Sequence, residues 1–364
     1  MIYFFIFLFL AFISVLTEIK LPKDLLILIL ILTALILVNF AGLRGDIEGD
    51  YYAYKDIFNE SHIYGVQDIN VEPGYYFINR FFYLLGLPFQ ALIYAMAIFS
   101  VFPKIYFFNK YSLNFGLSIF IYYCTSYFIF DFIQIRQAVA ISIFMISIKF
   151  AHEKRFWTYI LCVLVAILFH ISALIAIPVY FLLNLKPPKS VLYFILGICS
   201  FISIFHITVP LVDFLLNFVS LPGFVESKAA FYFSSEDFSV VSFKQLGLGF
   251  LFVYINNASK DENVTLNKKE SELTNIFTNL FVIGIILSTM LNGMSELSFR
   301  VKWYFFWTES LLMVNLVRFF CKSDLKTIYL TYLLVFMLYG YSLYQMLSEF
   351  ASRGNYIFPY KLFF

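Results

Sequence analysis

Charge is what this sequence has least of. Only 13% of its 364 residues are Asp, Glu, Lys or Arg, whereas 62% are hydrophobic and 22% aromatic, and the mean hydropathy is +0.84. A soluble domain carries roughly a quarter charged residues, so that class is excluded. The alternation that marks a membrane β-barrel strand is missing as well. Cys124, Cys162, Cys199 and Cys321 lie in or beside apolar runs without metal-ligand spacing and read as small core residues. The sequence has no Gly-rich phosphate loop, no DxD-like metal pair and no His/Cys cluster, which leaves Asp46, Glu48 and Asp50 as its one acidic group. A net charge of +2, confined to the gaps between apolar runs, leaves no footprint for nucleic acid.

What is there instead is a series of apolar runs long enough to cross a hydrocarbon core of about 30 Å as helices. About twelve spans are predicted, at roughly 2–17, 25–43, 89–103, 114–130, 137–151, 156–170, 171–185, 190–207, 243–257, 274–292, 301–320 and 326–347. The fold class is an all-α polytopic membrane protein, one transmembrane domain over 1–364 with no linker and no internal repeat. Long polar stretches remain at 44–88, 208–242 and 258–273. The first run, IYFFIFLFLAFISVL, has neither a basic leader nor a small-x-small cleavage site, so it is expected to stay as a span.

Sidedness follows from the basic residues. Alternate gaps starting with TEIKLPKD hold fifteen of the twenty-five Lys and Arg, Lys104 and Lys110 among them, and that side is predicted to be cytoplasmic. Both termini and the stretches 44–88 and 208–242 then lie outside, and 258–273 inside. Lysine dominates the inner face, whereas Arg44, Arg80, Arg136, Arg300 and Arg353 all fall outside. A guanidinium offers a planar fork of donors suited to phosphate or carboxylate. Each arginine also has the plainer reading of pairing with Asp or Glu at the headgroups.

Several constellations share that outer edge. Asp131 and Arg136, in FIFDFIQIRQAVAISIF, sit where one span ends and the next begins without a loop, and an Arg at a helix start makes an anion seat or a snorkelling anchor. His170 divides the apolar stretch 156–185 and is expected at least half-exposed at the outer surface, as a structural histidine or a base. Glu296 and Arg300 are four apart on a helix, where a salt bridge competes with a ligand role. Glu72, ahead of Pro73, opens an amphipathic segment whose Phe77, Phe81 and Phe82 suit a lateral helix in the headgroups; it reads as an N-cap substitute or a base.

These motifs, in this order, resemble the EpsG-like branch of the Wzy-type polysaccharide polymerases. The stretch Arg44-Gly45-Asp46-Ile47-Glu48-Gly49-Asp50-Tyr51-Tyr52-Ala53-Tyr54 is similar to the family's Arg-x-Asp-Val-Gly-Thr-Asp-Tyr-x-x-Tyr, with Glu48 and Gly49 departing from it. Glu72-Pro73-Gly74-Tyr75, Ile135-Arg136-Gln137, Phe169-His170, Arg300 before Trp303-Tyr304-Phe305, and a Pro359-Tyr360-Lys361 tail follow. Region 190–295 matches almost nothing of the family.

The resemblance implies a GT-C-like bundle with amphipathic or re-entrant helices in its outer loops, in the bacterial cytoplasmic membrane. It implies an enzyme that joins undecaprenyl-diphosphate-linked oligosaccharides into O-antigen, capsule, lipopolysaccharide or exopolysaccharide, working without cofactor or metal. On that reading Arg44, Arg136, Arg300 and Arg353 hold the diphosphate, and His170, Glu72 or Asp50 takes the acceptor's proton. Tyr51, Tyr54, Tyr75 and Glu296 contact sugar, with an aromatic belt as the plainer account of the tyrosines. The bilayer, a chain-length regulator and a flippase of the same pathway are the implied partners. Two rivals stay open: a lipid-linked glycan flippase, which needs charge along a path through the membrane, and a membrane O-acyltransferase, which needs a basic acyl-CoA entrance.

Overall fold

In the computed structural model, residues 2–19, 21–208, 243–261, 268–292, 294–320, 325–352 and 360–364 are described. Among them the secondary structure is entirely helical, apart from one isolated bridge between Arg44 and Leu362. Helices are the expected answer for apolar runs in lipid, because they satisfy every backbone N–H and C=O within the segment. Six are long and apolar enough to cross a membrane: Lys23–Gly42, Phe89–Tyr111, Phe115–Ile133, Ile135–His152, Glu272–Met290 and Thr327–Ser352; four shorter apolar helices accompany them. The helices form two compact units, residues 1–177 with 320–364, and residues 178–319.

The first unit holds α1 (Ile2–Leu16), α2 (Lys23–Gly42), α3 (Tyr51–Glu60), α4 (Pro73–Leu84), α5 (Phe89–Tyr111), α6 (Phe115–Tyr122), α7 (Ile135–His152) and α8 (Phe156–Ile167). Pro22 and Pro88 stand just ahead of α2 and α5, where a missing N–H costs nothing, and the side chain of Asn114 caps α6 by accepting from Leu117 N at 2.9 Å. Beyond α6 the chain continues as a wider π-wound segment, Tyr123–Ile133, closed by Gln134 N–H donating to Ile129 O five residues back. The stretch Phe115–Ile133 is 94% buried and Thr327–Ser352 only 22%, so the former is the centre of the unit and the latter presents its apolar surface outward.

Two expectations change here. The span drawn over 89–103 continues to Tyr111, with Pro103 inside the helix. Lys104, expected as a cytoplasmic anchor, is buried within α5, and its ammonium donates to both oxygens of Asp131 at 2.7 and 2.9 Å. The hydroxyl of Tyr122 donates to the same carboxylate. Asp131 therefore lies in the interior of the unit, held by Lys104 and Tyr122. A buried charge without a partner is prohibitive, and this pair satisfies itself.

The second unit holds α10 (Lys189–Ile204), α11 (Phe243–Asp261), α12 (Lys268–Met290), α13 (Ser295–Phe306) and α14 (Glu309–Phe320), while α9 (Ala176–Leu183) begins in the first unit and ends in the second, and α15 (Leu325–Ser352) belongs to the first. The predicted span 301–320 is broken between Phe306 and Glu309. There Thr308 Oγ1 donates to Phe305 O and Trp307 Nε1 to Tyr304 O, and Glu309 opens the next helix paired with Lys244 at 2.8 Å. The predicted outer loop 208–242 lies outside the described residues, apart from Thr208.

Candidate functional site

Four helices of the first unit meet in one apolar cluster: Tyr54 and Phe58 of α3, Tyr75 of α4, Phe89, Leu92, Ile93 and Met96 of α5, and Ile135 and Val139 of α7, with Phe169 packed beside it. Arg136 follows Ile135 directly and emerges from this cluster at the start of α7. Its guanidinium lies over the rings of Tyr54, at 5.9 Å, and Tyr75, at 5.6 Å. Desolvated cation–π contacts of this kind contribute about 1–2 kcal/mol each. Nη1 donates to Glu72 Oε2 at 2.5 Å, and the two side chains keep 25% and 15% of their surface, so the pair is sheltered but not closed.

Glu72 occupies the N-cap position of α4 in an extended conformation, yet its side chain makes no capping hydrogen bond. It reaches across the fold instead, with Oε2 on Arg136 and Oε1 accepting from Ile171 N at 3.3 Å. Close by, Gly74 N–H donates to Leu168 O at 2.8 Å, and a Cβ at Gly74 would meet that oxygen at 2.7 Å. Glycine is required there because the start of α4 touches the end of α8 backbone to backbone. That contact brings the next residues of the chain, including His170, into the same neighbourhood as Arg136.

His170 does divide the apolar stretch as expected, standing between α8 and a 3₁₀ turn over Ile171–Ile175. Its exposure does not follow the expectation: it is 6% exposed, because the imidazole folds back to cap the turn. Nδ1 accepts from Ser172 N at 3.3 Å and lies 2.6 Å from Ser172 Oγ. With Nδ1 accepting, the neutral ring carries its hydrogen on Nε2.

The Arg44 stretch builds a different environment. Arg44 is fully buried; Nη1 donates to Ala41 O at 2.6 Å, Nη2 stands 3.6 Å from Glu48 Oε1, and the guanidinium lies 5.5 Å from the Phe132 ring. Gln90 Nε2 holds the turn by donating to Gly42 O and Arg44 O. From the other side the end of the chain closes over it, with Gly45 N–H donating to Lys361 O, Phe363 N–H to Leu43 O, and the Tyr360 hydroxyl to Phe40 O. A ligand reaching Arg44 would have to displace Glu48 or this tail. Burial pushes the Glu48 carboxyl up to about 7 against the pull of Arg44, with Asp50 adding to the rise.

The three acids of the stretch separate. Asp46 is exposed, accepts from the Tyr52 hydroxyl at 2.8 Å and is held below the usual carboxylate range by that bond and by Lys361. Glu48 is buried, and Asp50 stands at the N-cap of α3, its amide donating to Glu48 Oε2 at 2.7 Å. Tyr54 and Tyr75 are buried, and the Tyr54 hydroxyl donates to Ile133 O at 3.1 Å, so both rings serve Arg136; Tyr51 is half-buried, edge-on to Phe89. In the second unit, Glu296 and Arg300 share a face of α13 at 3.7 Å, each more than a third exposed. Arg353 lies outside the described residues.

Sequence reasoning missed the Glu72–Arg136 pair, the Lys104–Asp131–Tyr122 cluster, and the pairing of residues 360–364 with the Arg44 turn. The usable signal was charge itself, since an ionised group among apolar residues needs a partner; which partner depends on contacts 27 to 64 residues apart in the two side-chain cases. No curated protein and no solved structure matches the chain. The sequence profile of the EpsG family matches residues 26–362, a range that includes the Arg44 turn, Glu72, Arg136, His170 and Arg300, and the chain belongs to that family of Wzy-like polymerases.

Proposed function

We propose that this protein is a membrane glycosyltransferase that joins undecaprenyl-diphosphate-linked oligosaccharide units into a longer glycan on the outer face of the bacterial cytoplasmic membrane. The observation that carries the reading is Arg136. It is a partly open guanidinium at the first turn of a membrane-length helix, backed by two buried tyrosines and set beside Glu72 and the His170 turn. Family membership over nearly the whole chain supports the polymerase class.

In the reaction the bond between the donor's anomeric carbon and its phosphate oxygen breaks, and an acceptor hydroxyl forms the new glycosidic bond. The hydroxyl's proton passes to a base among His170, Asp50 and Glu72, and undecaprenyl diphosphate leaves with the bonding electrons. Arginine forks at the leaving diphosphate stabilise the developing charge, with no need for a nucleotide sugar or a metal. Arg136 is the principal ligand in this proposal. Arg300 and Arg353 are further candidates for the diphosphate, and Tyr51 and Glu296 for the sugars. The membrane arrangement proposed with it is about twelve crossings in a GT-C-like bundle, with both termini outside and a chain-length regulator and flippase as pathway partners.

Purified protein in lipid nanodiscs, given a synthetic lipid-linked repeat unit alone, tests this. Polymer on a gel without nucleotide sugar, unaffected by a chelator, supports the reading; translocation without polymer selects a flippase, and acyl transfer to the glycan selects an acyltransferase.

A further inference from the structure

The side chain of Glu72 touches both arms of the site. Oε2 is bound to Arg136 on α7, and Oε1 accepts from the amide of Ile171, the residue after His170. The carboxylate is mostly sheltered and both of its oxygens are engaged. A general base needs one oxygen directed at the acceptor hydroxyl, within hydrogen-bond reach or one water away. The surrounding backbone is built for the same join, because the Gly74 N–H bond to Leu168 O and the absence of a Cβ at Gly74 bring the start of α4 onto the end of α8.

We propose that Glu72 is a positioning residue, a carboxylate bridge that sets the spacing between the Arg136 seat and the turn carrying His170. This rests on the polymerase reading for its kinetic consequence, though not for its structural one. The bridge fixes where the donor's diphosphate lies relative to His170, and it uses one guanidinium edge of Arg136 while the ring faces of Tyr54 and Tyr75 hold the plane. The proton of the reaction goes elsewhere, to Asp50, or to His170 Nδ1 once that nitrogen is released from Ser172.

Glu72→Gln and Glu72→Ala separate the two roles, because the amide keeps one acceptor oxygen, enough for one arm of the bridge, and cannot take a proton at neutral pH, whereas Ala keeps neither arm. In the nanodisc polymerase assay, E72Q is expected to lower kcat by less than about tenfold with a larger rise in KM, whereas loss of a general base would cost about 10²–10⁴-fold in kcat. E72A is expected to lower kcat/KM by about a hundredfold, the scale of misplacing reacting groups by roughly an ångström. Hydrogen exchange of the full chain in the same nanodiscs supplies the structural reading: amides at 168–172 exchange fastest in E72A, with E72Q between it and wild type.

A kcat for E72Q as low as that of E72A, with wild-type protection at 168–172, overturns the proposal in favour of a base. Unchanged protection in E72A overturns it too, and that result can be read even if wild type makes no polymer. Absence of polymer from wild type, with faster exchange in E72A, would instead remove the polymerase reading and leave the bridge standing.

Discussion

Arg44 and Arg136 carry the same side chain, fall on the same predicted face and invite the same expectation of phosphate binding, yet they occupy opposite environments. Arg44 is enclosed by Ala41 O, Glu48, Phe132 and the returning tail, whereas Arg136 keeps a quarter of its side-chain surface and has aromatic rings behind it. A guanidinium that is fully enclosed holds structure together, and a partly open one can meet a ligand without dismantling its surroundings. The contrast makes Arg136 the centre of the proposed chemistry and Arg44 the anchor of the turn that precedes α3.

Breaking the contrast from the open side should give the largest effect. Arg136→Ala is expected to lower polymer formation by about 10²–10³-fold, the usual loss when a donor aimed at developing negative charge is removed. Lys at the same place should recover only part of it, since an ammonium lacks the fork. Both variants should reach the membrane at wild-type levels; full-length polymer from both would remove Arg136 from the site.

From the closed side, at a pH well above 7 where Glu48 is ionised in the fold, Arg44→Ala removes the cation from a buried carboxylate and is expected to destabilise the protein by about 3–5 kcal/mol. The measurement is the thermal midpoint in detergent, and R44A/E48L should recover most of the loss. A stable R44A that has lost only activity would instead move Arg44 into the ligand site.

A smaller effect should come from Glu48 and depend on pH. Its folded-state carboxyl titrates near 7, above its ordinary 4.5. The folded protein therefore holds this proton more tightly than the unfolded chain. The stabilisation is fully present below about pH 4.5, is lost as the pH rises towards 7, and changes no further above that. Glu48→Gln should flatten the loss, raising the thermal midpoint relative to wild type above pH 7 and little below pH 5, by an amount on the order of 3 kcal/mol at most. An E48Q difference that is independent of pH would show that the carboxyl is not protonated in the fold.

The smallest expected change is Tyr360→Phe, which deletes the hydroxyl bond to Phe40 O and should cost about 1 kcal/mol. If it costs nothing, the tail does not hold the Arg44 turn.

Much of this was legible in the residues. The apolar runs at 25–43, 137–151 and 274–292 foretold helices close to those observed, and Pro73 marked the start of α4, because length, apolarity and proline geometry act locally. Arg136, Glu72 and His170 stood out as polar groups at the edges of apolar runs. What stayed hidden was depth and partnership. Lys104 followed a proline and looked like the end of a span, yet the helix continues and Asp131, 27 residues on, turns inward to meet it. His170 looked exposed, yet its imidazole closes a turn.

By itself the sequence determined that this is a helical membrane protein with few charges, since hydrocarbon demands continuous apolar helices and tolerates few ions. Its motifs determined the family. Only the tertiary structure decided which arginine is enclosed and which is open, and which acid each one meets. Those outcomes depend on how α3, α4, α5 and α7 pack around Tyr54 and Tyr75 and on where residues 360–364 return, and such contacts are set by the fold of the whole unit and not by the neighbours of any one residue.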